Sequence, residues 1–347
     1  MTRAASLLGW VLGATLAMGG NISAQDYPNR TVRIIVPFAA GGSADAVPRV
    51  VADWLTRKWG QAIIIENRTG AAGNIGAEAA FKAEPDGYTL LSAPPPPLVV
   101  NQTLYPNLPF NPSEFAPVAI LARVPNALVV NPARIPEKTV AAFIARAKAN
   151  PGQLTTATTG NGGTQHLTSE MFQMMANVKL QHVPYRGSAP ALQDLVAGSV
   201  DLMFDNLGVS LPLVKGGQLN LIAVATAKRL EELPEVPTIA ETIPGFESAA
   251  WFGVVAPPKT PKAIVDKLNA DINEALRDPE VKRRLAQLSS DVVGGSPDET
   301  ARYMREEVER WAKVIKAANI KVEDRKSTRL NSSHRCISYA VFCLKTK

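Results

Sequence analysis

The sequence predicts an α/β protein of two lobes, each built on a mainly parallel sheet flanked by helices. Three observations carry this. Short β-branched apolar runs alternate with helical patterns through most of the chain, and continuous apolar strands with helices between them indicate parallel sheets covered on both faces. Three of the strand-to-helix junctions are glycine turns. The span 25–323 is about twice a usual domain of roughly 100–150 residues, and no stretch in it has the composition of a linker.

In chain order, residues 1–24 are expected to be a secretory signal peptide. Arg3 gives a positive start, LLGWVLGATLAM (7–18) a short apolar core, and Ser23 and Ala24 small residues before Gln25. That run is shorter than the roughly 20 residues a membrane span needs, and with no cysteine beside the cleavage point no lipid anchor is expected. The strands follow as VRIIVPF (32–38), AIIIEN (62–67), TLLSA (89–93), ALVVNP (127–132), LTTATT (154–159), LQHVPY (180–185), DLMFDN (201–206), LIAVAT (221–226) and WFGVVAP (251–257). Helical patterns over 46–58, 74–83, 139–149, 164–176 and 188–197 separate many of them. The last third turns helical. The helix over 260–276 has Thr260 as its expected cap, Pro261 at the first helical position, and Ile264, Leu268, Ile272 and Leu276 as one apolar stripe. A second helix covers 278–288, and a third, 296–318, opens on a capping box of Ser296 and Glu299. These helices are assigned to packing. Residues 324–347 fit nothing before them and are expected to be a non-native tail.

The formal charge of +6 comes from the ends: the tail carries six Lys/Arg against Asp324 and the leader carries Arg3, so 25–323 is near neutral. A nucleic-acid groove would need a basic stripe on the folded part itself, so nucleic acid is not an expected partner. Both cysteines, Cys336 and Cys343, lie in the tail. With His334 they have neither the spacing nor the ligand number of a zinc site. The rest of the chain has no thiol chemistry to offer, which suits an oxidising compartment without disulfides.

The glycine turns are IIVPFAAGGSADAVPR (34–49), IIIENRTGAAGNIGAEAA (63–80) and LTTATTGNGGTQHLTSEMF (154–172). In an α/β sheet such turns lie at the carboxyl ends of strands, where ligands bind. Glycines let the backbone approach closely, and the following helix points its positive end at the ligand. The pattern therefore implies an anion site. GAAGNIG does not have the dinucleotide spacing, and no turn has the Lys-Ser/Thr of a phosphate loop. The turns offer the neutral donors Ser43, Asn74, Thr158, Thr159, Asn161, Thr164 and Gln165, with only Arg68 and Arg186 nearby as cations. Such a set suits a carboxylate. Asp45 reads as a helix cap with Pro48 in the first turn, or alternatively as a group facing the cleft.

An enzyme is not expected. Ser43, His166 and Asp205 could be imagined as a triad, but GGSAD is not the nucleophile elbow. His166 and His182 have no metal-binding spacing, and His166, in the first turn of a helix, reads as a neutral hydrogen bonder with a lowered pKa. No cofactor and no metal are expected.

The blocks YPNRTVRIIVPFAAGGSAD, ENRTGAAGNIGAEA, TTGNGGTQHLTSEMF, HVPYRGSAPALQDLVAGSVDLMFDN and WFGVVAPPKTPKAIVDKLN resemble the solute-binding proteins of tripartite tricarboxylate transporters, the Bug family, over roughly 26–323. The resemblance implies a periplasmic protein with the type II periplasmic binding fold, monomeric, closing a cleft between two lobes over a small carboxylate. The ligand would pass to a membrane permease of one large and one small subunit. Lobe 1 would comprise 25–125 with 250–323, and lobe 2 126–249. The implied ligand-binding residues are Phe38, Ala40, Ser43, Asp45, Gly73 and Asn74 from the first lobe. The second would add Thr158, Thr159, Asn161, Gly162, Thr164, His166, Tyr185, Gly187, Ser188 and Asp205. Tyr185 and Ser188 also read as strand end and helix cap, Asp205 as a turn former with Asn206, and Phe38 and Trp251 as hinge packing. One departure is SAPPPPLVV (92–100), whose four prolines are expected to stiffen a loop and dry the distal end of the site. Two other functions stay open at this point: an exported serine-dependent hydrolase, and a receptor that signals to a partner instead of feeding a permease.

Overall fold

The computed structural model describes residues 27–317 and Ile320; the expected leader at 1–24 and the expected tail at 324–347 lie outside them. The described chain opens with three strand–helix steps: β1 (Val32–Val36), α1 (Ser43–Trp59), β2 (Ile63–Asn67), α2 (Asn74–Phe81), β3 (Thr89–Ala93) and α3 (Asn101–Leu104). A long strand, β4 (Ala116–Val130), leads into α4 (Val140–Ala149), β5 (Thr155–Thr158), α5 (Thr164–Ala176), β6 (Gln181–Pro184), α6 (Ser188–Val196), β7 (Leu202–Asn206), α7 (Leu207–Lys215) and β8 (Asn220–Val224). The chain returns through β9 (Ala249–Ala256), α8 (Lys262–Arg277), α9 (Pro279–Ala286), β10 (Asp291–Gly294) and α10 (Pro297–Ala317).

The strand order is β2-β1-β3-β9-β4-β7-β5-β6, with β8 and β10 also paired to β4. Each lobe holds a parallel trio: β2-β1-β3 in one, β6-β5-β7 in the other. The strands between the trios pair antiparallel. β4 belongs to both lobes. Its residues Ala116 to Pro125 pair with β9, and from Asn126 onward it pairs with β7 and β8. The second crossing runs through Ser248, whose N–H donates to the Ala225 carbonyl and whose carbonyl accepts from the Asn126 N–H. Beside both crossings lies a buried polar knot. Asn126 Nδ2 donates to Thr168 Oγ1 (3.0 Å) and Ser248 Oγ (2.9 Å), and those two hydroxyls are 2.6 Å apart.

The cores explain why the strands read as continuous apolar runs. In the first lobe Val32, Leu55 and Leu268 pack on one sheet face, and Ile35, Leu98, Phe115 and Trp311 on the other. In the second, Phe143, Phe172, Phe204 and Phe246 fill one side, and Val129, Leu195 and Met203 the other. The predicted stripe on α8 is the buried one: Ile264, Leu268, Ile272 and Leu276 are each at most 2% exposed. The capping box of α10 forms, with Glu299 Oε2 accepting from the Ser296 N–H and Ser296 Oγ from the Glu299 N–H. Trp251 packs against α10 through Glu307, which accepts from both Trp251 Nε1 (2.9 Å) and Trp311 Nε1 (3.0 Å).

Four local expectations are corrected. The cap of α1 is Gly42, not Asp45, which lies inside the first turn. Pro48 is the sixth residue of α1, where it removes the N–H that would reach the Ala44 carbonyl. Thr260 does not cap α8: its hydroxyl donates to the Pro257 carbonyl, and the residue before the helix is Pro261. The proline run is not a stiff loop. Pro95 to Pro97 begin a buried helical segment with a wide turn over Pro96–Val100 that continues into α3. Prolines suit that place because the first N–H groups of a helix have no internal partner.

Candidate functional site

The three glycine turns, leaving β1, β2 and β5 at their carboxyl ends, converge where the lobes meet, and a fourth turn after β6 joins them. The Ala39 N–H donates to the Arg186 carbonyl across the cleft at 3.2 Å. A Cβ placed on Gly187 would lie 3.0 Å from the Ala39 Cβ, so the close approach of these two turns requires glycine there. The Tyr105 hydroxyl, just past α3, donates to the Asn161 carbonyl at 3.2 Å, and Gly162 packs beside Leu104 and Asn101.

Between the turns lies a cavity of about 30 Å³ with two unlike walls. The second lobe supplies Thr159, Thr164, Gln165, Gly187, Ser188 and Asn206, almost wholly polar. The first supplies Phe38, Ala39, Ala44, Pro94, Ala250 and Phe252, with Gly42 and Ser43 as its polar edge. No charged side chain lines the cavity among the described residues. Arg68 is paired with Glu66, and Arg186 is exposed. The Ser43 hydroxyl is buried and has no hydrogen-bond partner.

Four helices, α1, α5, α6 and α7, begin at this cavity, and none is capped by its own side chain. Their caps are Gly42, Gly163, Gly187 and Asn206. Of the helices that start elsewhere, α4, α9 and α10 carry such caps on Thr139, Asp278 and Ser296, while α2, α3 and α8 do not. An uncapped start leaves N–H donors and the positive end of the helix dipole unspent. Four of them around one cavity make an anion site without a cation.

The polar wall is ordered by a directional chain. Thr159 Oγ1 donates to Gln165 Oε1 (2.6 Å), and Gln165 Nε2 donates to Asn206 Oδ1 (2.8 Å) and, more weakly, to Ser188 Oγ (3.4 Å). Ser188 Oγ donates in turn to Asp205 Oδ1 (2.8 Å). Burial pushes the Asp205 carboxyl up to about 6, against the lowering effect of its hydrogen bonds from Ser188, the Asn206 backbone and Gln165.

Of the sixteen residues singled out by sequence, Phe38, Ser43, Thr159, Thr164, Gly187 and Ser188 line the cavity, and Asp205 stands behind Ser188. The others serve the walls from outside. Asp45 accepts from Arg49, Asn67 and the Gly41 N–H, so it braces the first turn and does not face the cavity. These bonds hold its carboxyl below its ordinary range, against the desolvation that would raise it. Gly73 and Asn74 form a second-turn brace in which Asn101 Nδ2 donates to Asn74 Oδ1 (2.6 Å) and to the Ala72 carbonyl. Asn161 and Gly162 contact the α3 segment, Tyr185 donates to Asp194, and Ala40 and Thr158 are off the cavity wall. Of the two residues expected to pack the hinge, Trp251 does pack inside its lobe, while Phe38 faces the cavity. Pro94, Ala250, Phe252 and Asn206 line the site without having been singled out as ligand residues.

The imagined triad is not assembled. His166 Nδ1 accepts from the Gly162 N–H (3.3 Å), and Asp205 accepts from Ser188, so no proton path links Ser43 to His166 or His166 to Asp205. His166 instead stacks on His182 at 4.4 Å beside Glu170, and these three could in principle bracket a metal ion. The outer nitrogens argue against it. A metal-bound imidazole needs an acceptor for its other N–H, but His166 Nδ1 faces a donor and His182 Nδ1 has no partner. The cluster reads as a buttress that holds the third turn from behind. Burial, and then the neighbouring His182 ring, lower the His166 pKa.

Asp45→Ala is expected to cost about 1–2 kcal/mol in urea denaturation, because it strands Asn67 and the Gly41 N–H. Carboxylate affinity should fall only through the loosened turn. Unchanged stability with lost affinity would mean instead that Asp45 touches the ligand.

A family model described as the tripartite tricarboxylate transporter family receptor matches residues 47–320. The protein BugT of Bordetella pertussis is 37% identical over 326 residues, covering 93% of this chain and 99% of that one. Among solved structures, an R. palustris protein with adipate superposes with a TM-score of 0.83 at 40% identity, covering 85% of this chain and 99% of the other. MatC from Rhodopseudomonas palustris with bound malate gives 0.79 at 34% identity, covering 83% and 100%.

Proposed function

The chain belongs to the tripartite tricarboxylate transporter receptor family, and on that premise we propose that it is a periplasmic solute receptor that captures a small carboxylate and delivers it to a membrane permease of one large and one small subunit. The observation that carries the reading is the meeting of four side-chain-uncapped helix starts at one cavity without a charged lining. Each start contributes up to about half a positive charge, so together they approach the charge of a dicarboxylate. The polar wall would take a carboxylate group, and Phe38, Pro94 and Phe252 would cover a carbon chain. The ligands of the two R. palustris neighbours, adipate and malate, fit that division.

The cavity is far smaller than the roughly 300–1,000 Å³ of a usual small-molecule pocket, so a ligand enters only if the lobes part. We place the division at 25–125 with 250–323 against 126–249, because β4 changes partners at Pro125 and Asn126 and the return crossing lies at Ser248. Bending there would separate the Ala39–Arg186 and Tyr105–Asn161 contacts without breaking either sheet.

The test is a thermal-shift and calorimetry screen of mono-, di- and tricarboxylates on ligand-stripped protein. A ligand at a hundred times its Kd adds about 2.7 kcal/mol to stability. Ser188→Ala and Thr164→Ala, on the polar wall, are each expected to weaken the best ligand about tenfold, while Thr139→Ala, on the distant cap of α4, leaves affinity unchanged. Absence of any shift across the screen sinks the proposal.

A further inference from the structure

Asp205, at the end of β7, is the one carboxylate among the described residues that touches the polar wall, and its environment is unbalanced. It is 0% exposed, and the one well-formed hydrogen bond to it is that from the Ser188 hydroxyl to Oδ1; the Asn206 N–H and the Gln165 amide lie near enough to lower its pKa, but neither makes a well-formed bond, and Oδ2 is buried with no partner. Among the described residues no cation is paired with it. The charged and titratable groups on the elements packed around it are all turned elsewhere. On α5, His166 and Glu170 pair with each other and with His182. On α6, Asp194 accepts from Tyr185, and Asp201 before β7 is paired with Arg134. Lys215 sits in the last turn of α7, and Arg123 on β4 lies in the part paired with β10 in the other lobe.

Ser188 is the link between this acid and the cavity, because its single hydroxyl proton is given to Asp205 while the residue itself lines the wall. A ligand carboxylate arriving at that wall needs the same proton. If Ser188 turned to the ligand, an ionised Asp205 would lose its side-chain donor from Ser188 and would face a second carboxylate in a site that excludes water. Two carboxylates so placed do not both stay ionised. A proton on Asp205 resolves the conflict. The neutral carboxyl has an O–H to give back to Ser188 Oγ, and the Ser188 O–H is then free for the ligand.

Resting on the carboxylate-receptor reading above, we propose that the ligand enters together with one proton, which binds Asp205 and reverses the Ser188–Asp205 hydrogen bond so that Ser188 donates to the ligand. The proton comes from solvent, and no covalent bond to the ligand changes. The raised pKa of Asp205 in the free protein means this proton is nearly in reach before the ligand arrives.

Calorimetry with adipate and with malate, both fully ionised at pH 7.5, tests this directly. Titrations run in buffers of different ionisation enthalpy give an apparent enthalpy whose slope counts protons taken up. The expected slope is about one for the wild type, with affinity falling about tenfold per pH unit above pH 7, the consequence of linked uptake of one proton. Asp205→Asn should keep binding, with a slope near zero and no such pH dependence. Ser188→Ala provides a second variant: with its side-chain donor from Ser188 gone, Asp205 holds its proton before the ligand comes, and the slope falls with it. Clear binding with zero slope in the wild type overturns the proposal and leaves the receptor reading intact. A slope of one that persists in Asp205→Asn also overturns it. No heat with either probe counts against the receptor reading itself.

Discussion

Gly208→Ala is expected to weaken carboxylate binding about a hundredfold. Gly208 is the second residue of α7, and a Cβ there would lie 1.8 Å from the Leu288 carbonyl oxygen and 2.2 Å from its carbon. Both are backbone atoms, so no side chain can swing aside. The two segments belong to opposite lobes: α7 follows β7, while Leu288 lies between α9 and β10, which pairs with β4 at Ile120 to Arg123. The cheapest relief is for the lobes to stand apart, which removes the closed form that holds the ligand. Overpacking of this kind costs about 1–3 kcal/mol or more. Charged wholly to closure, the upper figure is about two decades of affinity. Calorimetry with adipate measures it, and the melting temperature of the ligand-free variant should move little. Gly217→Ala, at a position just past the other end of α7 with open space around it, is the control. Its positive φ strains an alanine, so it should cost stability and leave affinity alone. If Gly208→Ala binds within threefold of the wild type, closure does not press these segments together.

Much of the architecture is legible because strand, glycine turn and helix are local signals. α5 begins and ends where its pattern does, and β1, β5 and β7 differ from their apolar runs only at the ends. What escapes is what depends on partners. The first ten residues of β4 carry Pro117 and Pro125, which argue against a strand, yet the ladder shifts register just after Pro117 and changes partner after Pro125. β10 is only four residues long and takes its identity from pairing with β4. The same distinction runs through the site. The turns place the backbone, but which side chain faces the cavity is set by contacts from afar. Asp45 is drawn away by Asn67 on the next strand, Asn74 by Asn101 after the proline run, and Tyr185 by Asp194 on α6. Ala250 and Phe252 reach the cavity because β9 returns between β3 and β4, a pairing that no local pattern in WFGVVAP announces. Three of the four helix starts are legible as glycines, whereas the absence of a side-chain cap at all four, and their meeting at one cavity, emerge only from the structure.

The same buried acid governs how stability depends on pH. In the ligand-free protein, Asp205→Asn should flatten one limb of that dependence and tilt what remains. Asp205 has a folded pKa of about 6, above the roughly 3.9 of an unfolded aspartate. Between those values the folded state holds a proton the unfolded state has lost. Its contribution is therefore fully present below about pH 4 and is lost as pH rises through 6. At pH 7.5 the ionised side chain costs about 3 kcal/mol relative to the neutral form, as an upper figure. His166 runs the other way. Burial lowers its pKa below the ordinary value, so the unfolded state binds a proton first, and stability falls as pH drops from about 6.5. In the wild type the two slopes oppose each other across the same window. The amide variant removes the Asp205 slope and leaves that of His166, so its stability relative to wild type should be highest near pH 7.5 and decline steadily toward pH 4. Seating an amide N–H where Oδ2 finds no partner adds a cost, but one that does not vary with pH. The slope, taken from urea denaturation at half-unit steps, is therefore the decisive quantity. Parallel curves for the two proteins would show that Asp205 titrates as it does in the unfolded chain, and this buried carboxylate could then not be the site that takes up a ligand-linked proton.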